Sequence, residues 1–231
     1  MEENKGYKQY VNYFKKWDGA AMLGGIMMVV GFLLLWLGWS FASYILSIVG
    51  LFGGLIVFLY GSIGRKTEAD FQSEIAHRVE KMHFREFEED PHFRGRIPKD
   101  KIEERVFEGF ELYDGVYAKA MKNANLCSSE YTYAKLLTLN DAFYIKTMAF
   151  SFVSDKSEAA TYDVPFAALE DATVLRERKL ITTANNKKVM AKTCFLCLTY
   201  DGGKTLLLPA KDDIYTDEYA DNLKRRYIKQ N

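Results

Sequence analysis

Between Asp18 and Arg65 the chain has no Asp, Glu, Lys, Arg or His, and the run Gly19–Gly64 is apolar almost throughout. A helix crosses a bilayer with about 20 apolar residues at about 1.5 Å each, so this run is about twice one span. The pattern predicts a transmembrane helical hairpin, roughly Ala20–Trp39 and Ala42–Ile63, turned by Gly38, Trp39, Ser40, Phe41 and Ser43. Residues 1–18 precede it as an arm in which Tyr7, Tyr10, Val11, Phe14 and Trp17 recur at steps of three or four, with Lys8, Lys15 and Lys16 on other sides. That spacing predicts a short interfacial helix, its rings at headgroup level and its lysines toward anionic lipid. A poorly ordered leader with belt aromatics is the plain alternative.

After the hairpin, residues 65–104 change to mixed polarity with helical spacing. Thr67-Glu-Ala-Asp70 has the form of a capping box. Phe71, Ile75, Val79, Met82 and Phe87 then mark an amphipathic connecting helix over about Glu68–Glu88, ended by Asp90-Pro91. Phe93–Glu104, with Gly95, Pro98 and alternating charges, reads as a linker, and the domain boundary is placed there.

From 105 to 231 the period shortens to that of strands. Val106–Tyr113, Val116–Met121, Thr132–Leu139, Ala142–Phe150, Ala172–Thr183, Lys188–Tyr200 and Lys204–Pro209 are predicted strands. Asn140-Asp141, Asn185-Asn186 and Asp201-Gly202-Gly203 supply tight turns, because these residues tolerate φ > 0. Ser151–Tyr162, bearing acids and serines, reads as a long loop, and Val116–Glu130 is the hardest stretch to assign. Asp213–Gln230 closes the chain as a helix with Tyr215, Tyr219, Leu223 and Tyr227 on one stripe, acids early and bases late, as the helix dipole favours. The predicted fold is an α+β membrane protein: a two-helix transmembrane hairpin plus a β-rich barrel or sandwich closed by the C-terminal helix.

The runs Leu136-Leu-Thr-Leu-Asn-Asp-Ala-Phe-Tyr-Ile145 and Asp163-Val-Pro-Phe-Ala-Ala-Leu-Glu-Asp-Ala172, followed by the Asp201-Gly-Gly203 turn, strand and helix, resemble the bacterial pleckstrin-homology-like (GRAM-like) domains. The layout is similar to that of bacterial two-span membrane proteins carrying one such cytoplasmic domain. The resemblance covers about Val106–Lys229 and implies a pleckstrin-homology-like cytoplasmic domain. No family ligand motif is matched residue by residue, so phosphoinositide binding is not carried over.

Charge and composition narrow the function. Lys plus Arg and Asp plus Glu both number 31, which leaves no net basic face for nucleic acid. Lys15 and Lys16 before the first span, with Arg65 and Lys66 after the second, put both termini in the cytoplasm by the positive-inside rule, and the resemblance implies that the membrane is a bacterial inner (plasma) membrane. A cleaved signal peptide is not expected, because the apolar run exceeds an h-region and a second run follows at once. The spans contain no ionisable residue, which argues against a transporter or channel acting alone. Three cysteines, Cys127, Cys194 and Cys197, make no disulfide framework.

Small residues stand at packing intervals in the spans: Gly24, Gly31 and Gly38 every seven residues, and Gly50 with Gly54 as GxxxG. They let helix backbones approach closely, either within the hairpin or between copies and partners. Glu74-x-x-His77 and Glu80-x-x-His83 lie on one helix and point to different sides, so metal binding is not expected. Cys194-x-x-Cys197 falls on a strand, which sends the two thiols to opposite faces, as structural cysteines. Arg176, Arg178 and Lys179 face Lys187, Lys188 and Lys192 across the Asn185-Asn186 turn, forming the most basic spot of the β-rich part. It is read either as a contact for an anionic membrane surface or as an edge hairpin protected by its charges.

The three histidines lie within Phe71–Phe93 with no cysteine or serine nucleophile in a recognisable setting, and no phosphate loop or dinucleotide turn occurs, so no catalytic residue and no cofactor is expected. The leading expectation is a non-enzymatic, membrane-anchored interaction domain that binds a protein partner or lipid headgroups, as a homo-oligomer or with a partner. An accessory subunit of a larger membrane complex is the alternative, and a lipid-acting interfacial enzyme stands third.

Overall fold

The computed structural model describes residues 3–15, 19–37, 40–63, 66–80, 93, 95–98, 102–121 and 125–228. The chain divides into two compact units, Met1–Asp70 and Phe71–Asn231. Gly38, Trp17, Lys16, Arg65, His83, His92 and the end of the connecting helix beyond Glu80 lie outside the described residues.

In the first unit, helix α1 (Glu3–Lys15) is followed by α2 (Ala20–Leu37) and α3 (Phe41–Ser62). Both α2 and α3 are long and apolar enough to cross a membrane. They pack antiparallel along a seam of small residues. A Cβ on Gly24 would lie 2.3 Å from the backbone nitrogen of Phe58, and one on Gly31 would lie 2.8 Å from that of Leu51. Gly50 and Gly54 meet α2 from the other side, and Gly61, not anticipated, closes the seam against Ala20 and Ala21. At Gly24, Gly31, Gly54 and Gly61 the backbones are close enough to leave room for hydrogen alone, so glycine is required there, while a Cβ at Gly50 would meet Gly31 tightly at 3.0 Å. Ser40 and Ser43 cap the start of α3 reciprocally, each side chain meeting the other's backbone N–H, and buried Ser47 returns its hydroxyl proton to the Ser43 carbonyl at 2.7 Å. The arm is helical as its spacing predicts. Of its rings, Tyr10, Tyr13 and Phe14 are buried, at 5%, 3% and 3% exposed, and Tyr7 is half-buried. A stripe at steps of three and four suits a protein surface as well as a lipid one.

Helix α4 (Glu68–Glu80) opens on the predicted capping box. The Thr67 N–H donates to Asp70 Oδ2 at 2.7 Å, and the Asp70 N–H to Thr67 Oγ1 at 3.3 Å. In the second unit its Phe71 ring packs 4.6 Å from Phe152, and Arg78 donates to the Ser151 carbonyl at 3.0 Å.

Among the described residues nine strands form three antiparallel sheets. β1 (Glu103–Phe110), β4 (Glu130–Thr138), β5 (Ala142–Ser151) and β6 (Ser157–Pro165) form the largest, in order β1-β4-β5-β6. β7 (Leu169–Thr182), β8 (Lys188–Tyr200) and β9 (Lys204–Pro209) form the second, and β2 (Ala118–Ala120) with β3 (Leu126–Ser128) a small ribbon. The alternate residues Ala134, Leu136, Phe143 and Ile145 of one sheet meet Ala172, Leu196, Leu198 and Leu208 of the other. Helix α5 (Ile214–Tyr227) adds Tyr219, Ala220 and Leu223 to that core.

Three expectations change. The second half of the stretch read as a loop, from Ser157, is a strand that runs on to Pro165. It pairs with β5 over its whole length, but as an edge strand it shows mostly exposed, polar or small side chains, so the hydrophobic signal is weak. β3, three residues long, was not anticipated either. The segment read as linker is built into the β-rich unit. Phe93, Ile97 and Ile102 cover the outer face of the sheet at Leu137, Leu139 and Tyr144, and Arg96 forks between Asp141 and Asp163 at 2.9 and 2.7 Å. Glycine, proline and charge mark an irregular backbone, and here that backbone is packed.

Candidate functional site: the basic face of the β7–β8 hairpin

β7 and β8 form the longest hairpin of the molecule. The Thr183 N–H donates to the Lys187 carbonyl at 2.9 Å across the turn, and Asn186 takes the left-handed φ of 58° that asparagine tolerates. The register sets Arg178 opposite Lys192, Leu180 opposite Met190 and Thr182 opposite Lys188. With a period of two, these six side chains share one face of the hairpin.

The core side changes along the hairpin. Near its root, Ala172, Leu196 and Leu198 turn into the main core; at its tip the opposite parity, Ile181 and Ala191, is buried against Leu112, Val116 and Ala118. The face carrying Arg178, Leu180, Met190 and Lys192 is thereby left outward at the tip. Leu180 and Met190 are 58% and 55% exposed. Two large apolar side chains side by side in solvent are unusual in a β-hairpin whose other face is buried.

The structure brings together only part of the predicted basic set. Arg178, Lys188 and Lys192 surround Leu180 and Met190, and none of the three forms an ion pair with a described carboxylate. Arg178 and Lys192 stand directly opposite each other, an arrangement of like charges that costs stability unless an anion joins them. Arg176 leaves the set. Its Nε and Nη2 donate to Asp212 at 2.6 Å and Asp217 at 2.8 Å, and these bonds, that to Asp217 foremost, hold its pKa above the usual value. Its charge is spent within the domain. Lys179 lies on the opposite face of β7, and Lys187 stands in the turn. Leu180 and Met190 were missed by sequence reasoning, although counting outward from the Asn185-Asn186 turn puts them in register.

Cys194 and Cys197 occupy alternate faces of β8, one buried and one half-buried, and neither is in a disulfide. The Cys194 thiol points to the Lys211 carbonyl at 3.6 Å, and burial pushes its pKa up, which makes it inert rather than nucleophilic. Glu74 is held by Arg78 at 2.7 Å, and among the described residues no three His, Cys, Asp or Glu side chains are grouped to hold a metal ion. Comparison of the chain with protein-family models, curated proteins and solved structures finds no match.

Proposed function

We propose that this is a non-enzymatic, membrane-anchored protein whose cytoplasmic, pleckstrin-homology-like unit lays the β7–β8 hairpin on an anionic lipid surface. The anchor is the α2–α3 hairpin in a bacterial inner membrane, with both termini on the cytoplasmic side. One observation carries the reading: three bases with no acidic partner among the described residues ring two exposed apolar side chains on one face of a hairpin. Bases suit lipid phosphates and the apolar pair suits the acyl boundary beneath them. At on the order of 1 kcal/mol per base near an anionic surface, Arg178, Lys188 and Lys192 contribute roughly a hundredfold in affinity. That is weak for a free protein but sufficient for a tethered one, where the effective concentration of the surface is of order millimolar.

Gly24, Gly31, Gly50 and Gly54 all face the partner helix of their own hairpin, whereas Gly25 is open, so an accessory subunit docking through its spans uses their outer faces rather than this seam. The lipid reading is tested on the full chain in nanodiscs with an environment-sensitive fluorophore at Asn185→Cys. Emission shifts to the blue when zwitterionic lipid is replaced by a mixture with phosphatidylglycerol, and the shift disappears in the Arg178→Glu/Lys192→Glu variant and at high salt. Equal emission in both lipids would sink the proposal.

A further inference from the structure

β6 ends the four-stranded sheet, and its outer edge is bare. The Ser151 N–H donates to the Lys156 carbonyl at 3.0 Å, so along β6 the even-numbered residues turn their backbone groups to β5 and the odd-numbered ones turn theirs outward. The N–H and C=O groups of Ser157, Ala159 and Thr161 therefore point away from the sheet, and no described residue bonds to them. Proteins blunt such edges with lysines, prolines, bulges or short length. β6 uses none of them. It is nine residues long, contains no lysine or arginine, keeps one register with β5 throughout, and meets its proline only at the last position, Pro165. Asp163 does not guard the edge, because Arg96 Nη1 and Nη2 hold its two carboxylate oxygens at 2.7 and 2.8 Å. The other acid, Glu158, lies near one end of the strand.

We propose that this edge is the contact between two copies of the chain, β6 pairing antiparallel with β6 of a second copy about a two-fold axis at Ala160 and joining the two four-stranded sheets into one. The occupant follows from the strand itself, which is complementary to its own reverse. In this register Ala159 stands opposite the partner's Thr161 and Ser157 opposite the partner's Asp163 on the outer face of the sheet, while on the inner face Ala160 meets the partner's Ala160 and Glu158 meets the partner's Tyr162. No like charges are opposed, which edge pairing would otherwise penalise. The side chains at the axis are Ala and Thr, small enough for the strands to reach the usual ladder spacing of about 4.8 Å.

The neighbouring registers are poorer. Centring the pair on Thr161 sets Glu158 against the partner's Val164, whose counterpart in this chain is fully buried in the core, so a charge would be desolvated without a partner. Centring it on Ala159 carries Tyr162 and Asp163 past the end of the partner's strand and shortens the ladder. The contact uses none of Arg178, Leu180, Met190 and Lys192, so it does not depend on the lipid reading and leaves the β7–β8 face free in both copies.

The test uses the full chain in detergent, with sedimentation velocity over a range of concentrations and disulfide cross-linking under mild oxidation. The unmodified chain sediments as a reversible dimer. Ala160 and its copy occupy a non-hydrogen-bonded pair, where Cα atoms lie about 4.5 Å apart, within disulfide reach, so Ala160→Cys gives a covalent dimer. Ser157→Cys, about 20 Å from its own copy along the strands, does not, and neither does the unmodified chain with its native Cys127, Cys194 and Cys197. Thr161→Pro removes an outward N–H that β5 does not use and weakens the dimer at least tenfold. The proposal is overturned if the unmodified chain is monomeric at every concentration, if Ala160→Cys cross-links no faster than Ser157→Cys, or if folded Thr161→Pro dimerises as well as the unmodified chain. The cross-linking contrast decides the matter even if Thr161→Pro fails to fold.

Discussion

Single residues in this chain act mainly by closing the ends and edges of elements. Asp213 caps α5 by accepting the Thr216 N–H at 2.9 Å, and Asp70, in the first turn of α4, accepts the N–H of the cap residue Thr67 at 2.7 Å. Both carboxyls are held below their ordinary pKa of 3.8, each by a backbone N–H before any other cause. A depressed carboxylate pKa contributes stability that is whole above the unfolded value and is lost as the pH falls through the lower folded value. Acid titration of the melting temperature therefore shows a loss below about pH 4 that is smaller in Asp213→Asn. That amide keeps the cap without titrating, while Asp213→Ala melts lower at neutral pH as well. The Thr67/Asp70 box was legible because a capping box is local and its partners stand at fixed spacing. The fork of Arg96 between Asp141 and Asp163 was not legible, because residues 45 and 67 positions away share no pattern along the chain.

At the scale of elements, the α2–α3 pair shows how a repeat of small residues becomes a seam. The new Cβ of Gly24→Val meets backbone atoms of Phe58 and Gly54 at 2.3 and 2.6 Å, which no rotamer can relieve, whereas Gly25 has nothing within 4 Å. Gly24→Val lowers the melting temperature of the detergent-solubilised protein by an amount equivalent to about 1–3 kcal/mol, and Gly25→Val leaves it within error. Equal effects at the two positions would mean that the helices do not meet along this face. Strands were legible in proportion to their burial. β4, β5 and β8 carry apolar alternation and were located within a few residues. β6 is an edge strand of exposed Ser, Glu, Ala and Thr, so pairing with β5 defines it more than its own composition does. The outward turn of Leu180 and Met190 belongs to the same class of fact. It follows from the hairpin exchanging one buried face for the other between Cys194 and Ala191, a change that no period-two pattern contains.

For the molecule as a whole, the anchor reading is open to a direct check of sidedness in a cysteine-free background. Ser40→Cys, in the exposed turn between the two long helices, reacts with a membrane-impermeant maleimide in intact cells, while Ser157→Cys on the exposed β6 edge reacts only after lysis. The opposite pattern inverts the topology and removes the cytoplasmic assignment. Two apolar helices, an α+β composition and a closing amphipathic helix were all readable along the chain. Hydrophobic length and period are properties of neighbouring residues, and water or lipid acts on them locally. Charge was readable only as a count of bases near one turn. Pairing made it specific: two acids near the start of α5 neutralise Arg176, register leaves Arg178 and Lys192 opposed, and folding sets Arg105 over a buried Tyr219. Those outcomes depend on which groups come within a few ångströms after the chain closes, and Coulomb and hydrogen-bond energies fall off too steeply for sequence spacing to stand in for that distance.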